Sequence, residues 1–145
     1  MANEIYLEQR SGNGPRVLRK ITPTANQSLG FDSTGKLVAR NGGTTTVLTA
    51  NGAITPTEGT IILNKAGVLA ATLAAPTATT DDGKVMRIVS ITANAHTVTQ
   101  TTPGFNNGGS ASDVATFGGA IGDNMVIVAY QGKWYVITLR NVVLG

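Results

Sequence analysis

The sequence predicts an all-β protein: an antiparallel β-sandwich or jelly-roll-like body over residues 44–145, preceded by an extended N-terminal arm over residues 1–43. Three observations lead there. The chain of 145 residues holds 21 threonines and 18 glycines with abundant Val, Ile and Ala, while aromatic residues make up 5%. Thr, Val and Ile are stiff at χ1 and favour pleated strands, and glycine punctuates them as turns. From residue 44 onward, short β-branched runs recur between turn clusters with no intervening helical period, which is the pattern of stacked antiparallel strands. The first 43 residues instead carry Gly/Pro interruptions and few large apolar groups, a composition that borrows its order from a partner.

Within the arm, Ser11-Gly-Asn-Gly-Pro15 and Thr22-Pro-Thr-Ala-Asn26 are turn and extended signals. Between them Arg16–Ile21 predicts one short strand. Ser28-Leu-Gly-Phe31, the turn Asp32-Ser-Thr-Gly35 and Lys36-Leu-Val-Ala-Arg40 predict a hairpin, closed by Asn41-Gly-Gly43.

In the body the predicted strands are Thr44–Thr49, Gly59–Leu63, Gly67–Leu73, Lys84–Thr92, Ala95–Thr101, Val114–Phe117, Asn124–Tyr130 and Lys133–Leu139. Breaks at Asn51-Gly, Asn64-Lys-Ala-Gly, Asp81-Asp-Gly and Gly122-Asp-Asn supply turns. Ala70–Ala75 is where a helical turn competes, and Pro76 would end it. Tyr130-Gln-Gly-Lys133 joins two strands through a two-residue loop, the mark of a tight hairpin. Its first strand, Met125-Val-Ile-Val-Ala-Tyr130, is apolar throughout, so both its faces require cover. Met125, Ile127, Trp134 and Tyr135 are therefore candidates for a subunit interface or the core. Trp134 and Tyr135 are neighbours in a strand and point to opposite faces. Thr97, Thr99 and Thr101 alternate on one strand and predict an exposed polar face opposite a partly buried one.

Charged residues are 13% of the chain, about half the usual share of roughly 25%. Such sparse charge suits a protein that hides much of its surface in an assembly. Residues 1–43 hold six bases against three acids, and residues 44–145 hold five of each. An excess this dilute does not make a nucleic-acid stripe, but it suits docking on an acidic protein surface. The N-terminal ten residues lack the apolar core of a secretory signal, and no run approaches the ~20 apolar residues of a membrane helix. No nucleic acid and no membrane are expected as partners. Synthesis in a cytoplasm fits the absence of cysteine.

Catalytic and metal motifs are missing. Without cysteine there is no disulfide framework, thiolate zinc site or thiol nucleophile. His96 is the sole histidine, which removes two-histidine metal motifs; on a threonine-rich strand it reads as a surface or interface residue. Asp81-Asp82-Gly83 hints at a calcium loop, but the twelfth position holds Thr92 where a closing Glu is needed, so a turn is the better reading. No nucleophile elbow, Walker loop or dinucleotide glycine motif occurs. Glu58, Asp113 and Asp123 sit as turn or strand-end residues. The reading is a non-enzyme with no cofactor and no metal.

Several segments resemble, in order, a widespread group of small tailed-bacteriophage structural proteins, the capsid decoration (cement) proteins. These are Gly83-Lys-Val-Met-Arg-Ile-Val-Ser-Ile-Thr92 with Ala95-His-Thr-Val-Thr99, Gly104-Phe-Asn-Asn-Gly-Gly109, Ala115-Thr-Phe117, and Gly122-Asp-Asn-Met-Val126 before Gly132-Lys-Trp-Tyr-Val136. In the arm, Leu29-Gly-Phe-Asp-Ser-Thr-Gly-Lys-Leu-Val38 is similar to a segment of phage head and fibre proteins. The resemblance covers most of the chain. It implies a homotrimeric, tulip-like β-sandwich on the outer surface of the virion shell, with the major capsid protein as partner and shell stabilisation as function. Terminal arms would fasten it there, which makes Arg10, Arg16, Arg19 and Lys20 the expected capsid contacts. The alternative is a head-fibre or tail-fibre module recognising host surface glycans, with the loop Thr102–Ser112 as its working surface. A weaker one is a small hydrolase of cell-wall sugars.

Overall fold

The computed structural model describes residues 43–100 and 102–145 in full and, before them, the backbone of four strands: β1 (Ile5–Gln9), β2 (Val17–Ile21), β3 (Gln27–Phe31) and β4 (Leu37–Asn41). The chain divides into two units, Met1–Gly42 and Gly43–Gly145. In the first, β1 pairs antiparallel with β2, and β3 with β4. Strands β2, β3 and β4 fall on the predicted segments; β1 had no sequence signal.

The second unit is built from β5 (Thr44–Leu48), β6 (Gly52–Ile54), β7 (Gly59–Leu63), β8 (Ala70–Leu73), β9 (Val85–Ser90), β10 (Thr97–Thr99), β11 (Val114–Phe117), β12 (Asn124–Tyr130), β13 (Lys133–Arg140) and β14 (Val142–Leu144). Two short 3-10 turns, Phe105–Asn107 and Gly109–Ser112, lie between β10 and β11. One five-stranded sheet runs β13-β12-β9-β7-β5 and the other β14-β11-β10-β8-β6.

This corrects the expected fold. The body is not an antiparallel sandwich, jelly roll or tulip-like domain. It has two separate sheets of mixed direction that do not close on each other. β5, β7 and β9 are parallel neighbours in one sheet, and β6, β8 and β10 are parallel neighbours in the other. The reason lies in the connections. The breaks at Asn51-Gly, Asn64-Lys-Ala-Gly and after Ser90 do not reverse the chain within a sheet. Each carries it across to the other sheet, so the next strand to return runs the same way as its predecessor. Antiparallel pairing begins at β11 and includes the hairpin β12–β13. There Gln131 and Gly132 both take positive φ (49° and 75°), as a two-residue hairpin loop requires.

Parallel stacking places like residues over like. Ile61 of β7 sits beside Ile88 of β9, which pairs with Met125 of β12; Ala71 of β8 sits beside Val98 of β10, which pairs with Ala115 of β11. All are buried, and side chains from both sheets form one apolar cluster that includes Leu63, Leu69, Phe105, Phe117 and Trp134. Ala70–Ala75, where a helix competed, forms β8, because alternate residues there bury Ala71 and Leu73. Gly59, at φ 139°, lets β5 lie against β7, since a Cβ there would overlap the Thr44 backbone.

Candidate interaction surface

The strand predicted to need cover on both faces has it on one. Met125, Ile127 and Ala129 of β12 are fully buried, whereas Val126 and Val128 are half-buried and Tyr130 is 58% exposed. Register extends the outer face across the first sheet. Val128 lies between Val85 and Tyr135, and Val126 lies between Arg87 and Thr138. The next row runs Val47, Ile62, Val89, Asn124. A bulge opposite Val126 and Ile127 leaves Ile137 without a partner and 56% exposed. Valine, isoleucine and tyrosine thus stand outward on all five strands, in rows flanking a central row of Thr45, Thr60, Arg87, Val126 and Thr138.

The charges on this face are of one sign. Arg87 stands mid-sheet beside Val126, Lys133 pairs with Tyr130, and Arg140 pairs with Asn124. No strand residue of this sheet is acidic. The body as a whole is neutral, so its five acids lie elsewhere, and three of them, Asp81, Asp82 and Asp123, are committed to turns. Asp81 accepts Thr77 N–H at 2.6 Å and Lys84 Nζ–H at 2.5 Å. Asp82 accepts two bonds from Gln131, at 2.7 and 3.0 Å, bracing the β12–β13 turn. Asp123 accepts Ala120 N–H and Asn141 Nδ2–H at 2.8 and 2.9 Å. The Asp81 carboxyl is held below its usual range by its Lys84 and Thr77 hydrogen bonds. In Asp123, burial raises the pKa, but hydrogen bonds from Asn141, Ala120 and Gly119 and the nearby Arg140 outweigh it and leave the pKa lowered. Among the described residues no three metal-ligating side chains converge.

Of the residues singled out by sequence, Met125, Ile127 and Trp134 are core, fully buried. Tyr135 is half-buried on the outer face. Arg10 and Arg16 lie outside the described residues. Arg19 and Lys20 fall on β2, opposite Leu7 and Tyr6, where the backbone alone is described. Thr97 and Thr99 are half-buried opposite the buried Val98, and Thr101 lies outside the described residues. Sequence reasoning missed Arg87, Val126, Val128 and Ile137 as a group. The alternation Val85-Arg87-Val89 carried part of the signal.

His96 is a correction: it is fully buried, not a surface residue. Its Nδ1 accepts Leu69 N–H at 3.0 Å, so the ring proton is on Nε2, which donates to Thr92 Oγ1 at 2.8 Å; the Thr92 hydroxyl donates on to Lys65 C=O at 3.1 Å. Burial, then the Lys65 charge, lowers its pKa from the ordinary 6.5. The neutral ring therefore contributes stability that is complete above about 6.5 and is lost as pH falls toward and through the folded value. Denaturant midpoints should drop between pH 7.5 and 5.5 in the wild type, and His96→Asn should flatten that slope. The two lowered aspartates respond in a separate window, below about pH 4.

A scan against models of known protein families finds no match, and a search of curated proteins finds no relative.

Proposed function

We propose that this protein is a non-catalytic structural component of a tailed-phage virion that docks on the outer capsid surface and stabilises the shell. The observation that supports this best is the outer face of the first sheet. Apolar side chains around the mid-sheet Arg87, with Lys133 and Arg140 on the same face and no acid among the strand residues, suit an apolar and acidic protein surface. The ordered strand-and-turn resemblance to decoration proteins adds to it. Stabilisation follows from mass action: a ligand that binds the assembled shell and not its dissociated subunits shifts the balance toward the shell. Three copies joined in a trimer would strengthen the hold by multivalency.

The test is co-sedimentation of purified protein with expanded empty capsids. Binding that saturates and weakens as salt rises is the expected result, because exposed charges are screened within about 10 Å at 0.1 M ionic strength. No capsid association at low salt overturns the proposal. Deleting residues 1–20 should reduce binding if the arm is a contact; full binding by the truncated chain assigns docking to the body.

The parallel strands favour a second reading, a head-fibre or tail-fibre module, since stacked passes extend a body one strand at a time. Selective signal on a glycan array together with no capsid binding would decide for it.

A further inference from the structure

The first pass of the body leaves two strand edges side by side. β5 ends the first sheet and β6 ends the second. Between them opens a recess of about 60 Å³ lined by Thr46, Leu48, Ala53, Ile54 and Ile61, all uncharged. The opposite edge of the first sheet is treated differently. On β13, Val136 N–H is taken by the Asn106 side chain at 2.8 Å, so a loop plugs that edge.

The backbone of β5 shows which of its groups are spare. Thr44 N–H donates to Glu58 C=O at 3.1 Å, and Leu48 C=O accepts Asn64 N–H at 2.8 Å. Thr44, Thr46 and Leu48 therefore direct their backbone groups toward β7, and Thr45 and Val47 direct theirs to the open side. Among the described residues no strand pairs there, and Thr44 to Val47 are exposed. The strand Thr-Thr-Thr-Val-Leu has no charge, no proline and no bulge in its pairing with β7, so it lacks the devices that normally keep edges apart.

We propose that β5 pairs antiparallel with β5 of a second copy, about a two-fold axis at Thr46. In that register Thr45 faces Val47 of the partner subunit and Val47 faces Thr45 of the partner subunit. These are the residues whose N–H and C=O are spare, so the pairing forms four inter-subunit hydrogen bonds with the β5–β7 ladder intact. Such an interface is self-complementary, as a two-fold contact must be. Charge does not oppose this seam locally: β5 carries no charged residue, so two identical strands pair without like charges facing each other. The axis also brings the two recesses together on the inner side of one continuous ten-stranded sheet. This pairing does not depend on the capsid reading.

The test is native mass spectrometry with light scattering on the full chain at micromolar concentrations. Wild type should have an even number of copies. Val47→Pro, which removes an N–H from the open side alone, should halve the particle mass whether the unpaired particle is a monomer or a trimer. Hydrogen exchange should show the Thr45 and Val47 amides protected, increasingly so with concentration. If Val47→Pro fails to fold, Thr45→Lys serves instead, since an edge lysine opposes pairing without touching the ladder. A folded variant with the wild-type mass, or free exchange of both amides at every concentration, overturns the proposal.

Discussion

Trp134→Ala should destabilise the body by about 3–5 kcal/mol, the usual cost of deleting a fully buried large aromatic side chain. Trp134 has no exposed surface, and its Nε1–H donates to Ala74 C=O at 2.9 Å. The ring thus joins the edge strand of the first sheet to the segment that leaves β8 in the second. Alanine would remove packing from the shared core and leave the Ala74 carbonyl without its donor. In a unit of this size the loss corresponds to a fall in melting temperature of more than about 10 °C. Trp134→Phe should fall between the two, keeping most of the volume and losing the hydrogen bond. A wild-type melting curve for the alanine variant would mean that Trp134 does not hold the sheets together.

Val128→Glu should weaken capsid binding by about a hundredfold or more while leaving the fold in place. Val128 sits mid-face between Val85 and Tyr135, half-buried in the free chain. A carboxylate there finds no base directly across either neighbouring strand, and a partner covering the face would strip its water. An uncompensated charge in an interface costs roughly 3–5 kcal/mol, and about 3 kcal/mol is a hundredfold in affinity. Arg87→Glu should also weaken binding, with an effect that shrinks as salt rises. If Val128→Glu co-sediments with capsids like wild type and has an unchanged circular dichroism spectrum, docking does not use this face.

The strands were legible in the sequence where period-2 burial was strong. Gly59–Leu63, Val114–Phe117 and Asn124–Tyr130 have the expected bounds, and the Gln131-Gly132 hairpin forms as its two-residue loop dictates. Gly52–Ile54 and Val142–Leu144 escaped notice because three residues are too few to show a period. Strand direction was not legible. Asn51-Gly looks the same whether it turns a chain back on its neighbour or leads it to another sheet, and tertiary packing alone decides. That error also hid the outer face. Arg87 joins Thr60, Val126 and Thr138 in one row only through the β7–β9 and β9–β12 registers. His96 misled because its flanking threonines look solvated, while the ring points inward with Val98 and satisfies both nitrogens inside.

The alternation of strands between sheets also makes the body a ruler. β5 with β6, β7 with β8 and β9 with β10 are successive graduations, and the antiparallel strands close the scale at β13. Neighbouring strands stand about 4.8 Å apart, so one further pair inserted between Leu73 and Val85 would move the edge at β5 from the edge at β13 by that distance. Neither edge would need a changed residue. Spacing between whatever meets at those two ends is thus set by chain length, in steps of one strand width, separately from the chemistry that each end presents.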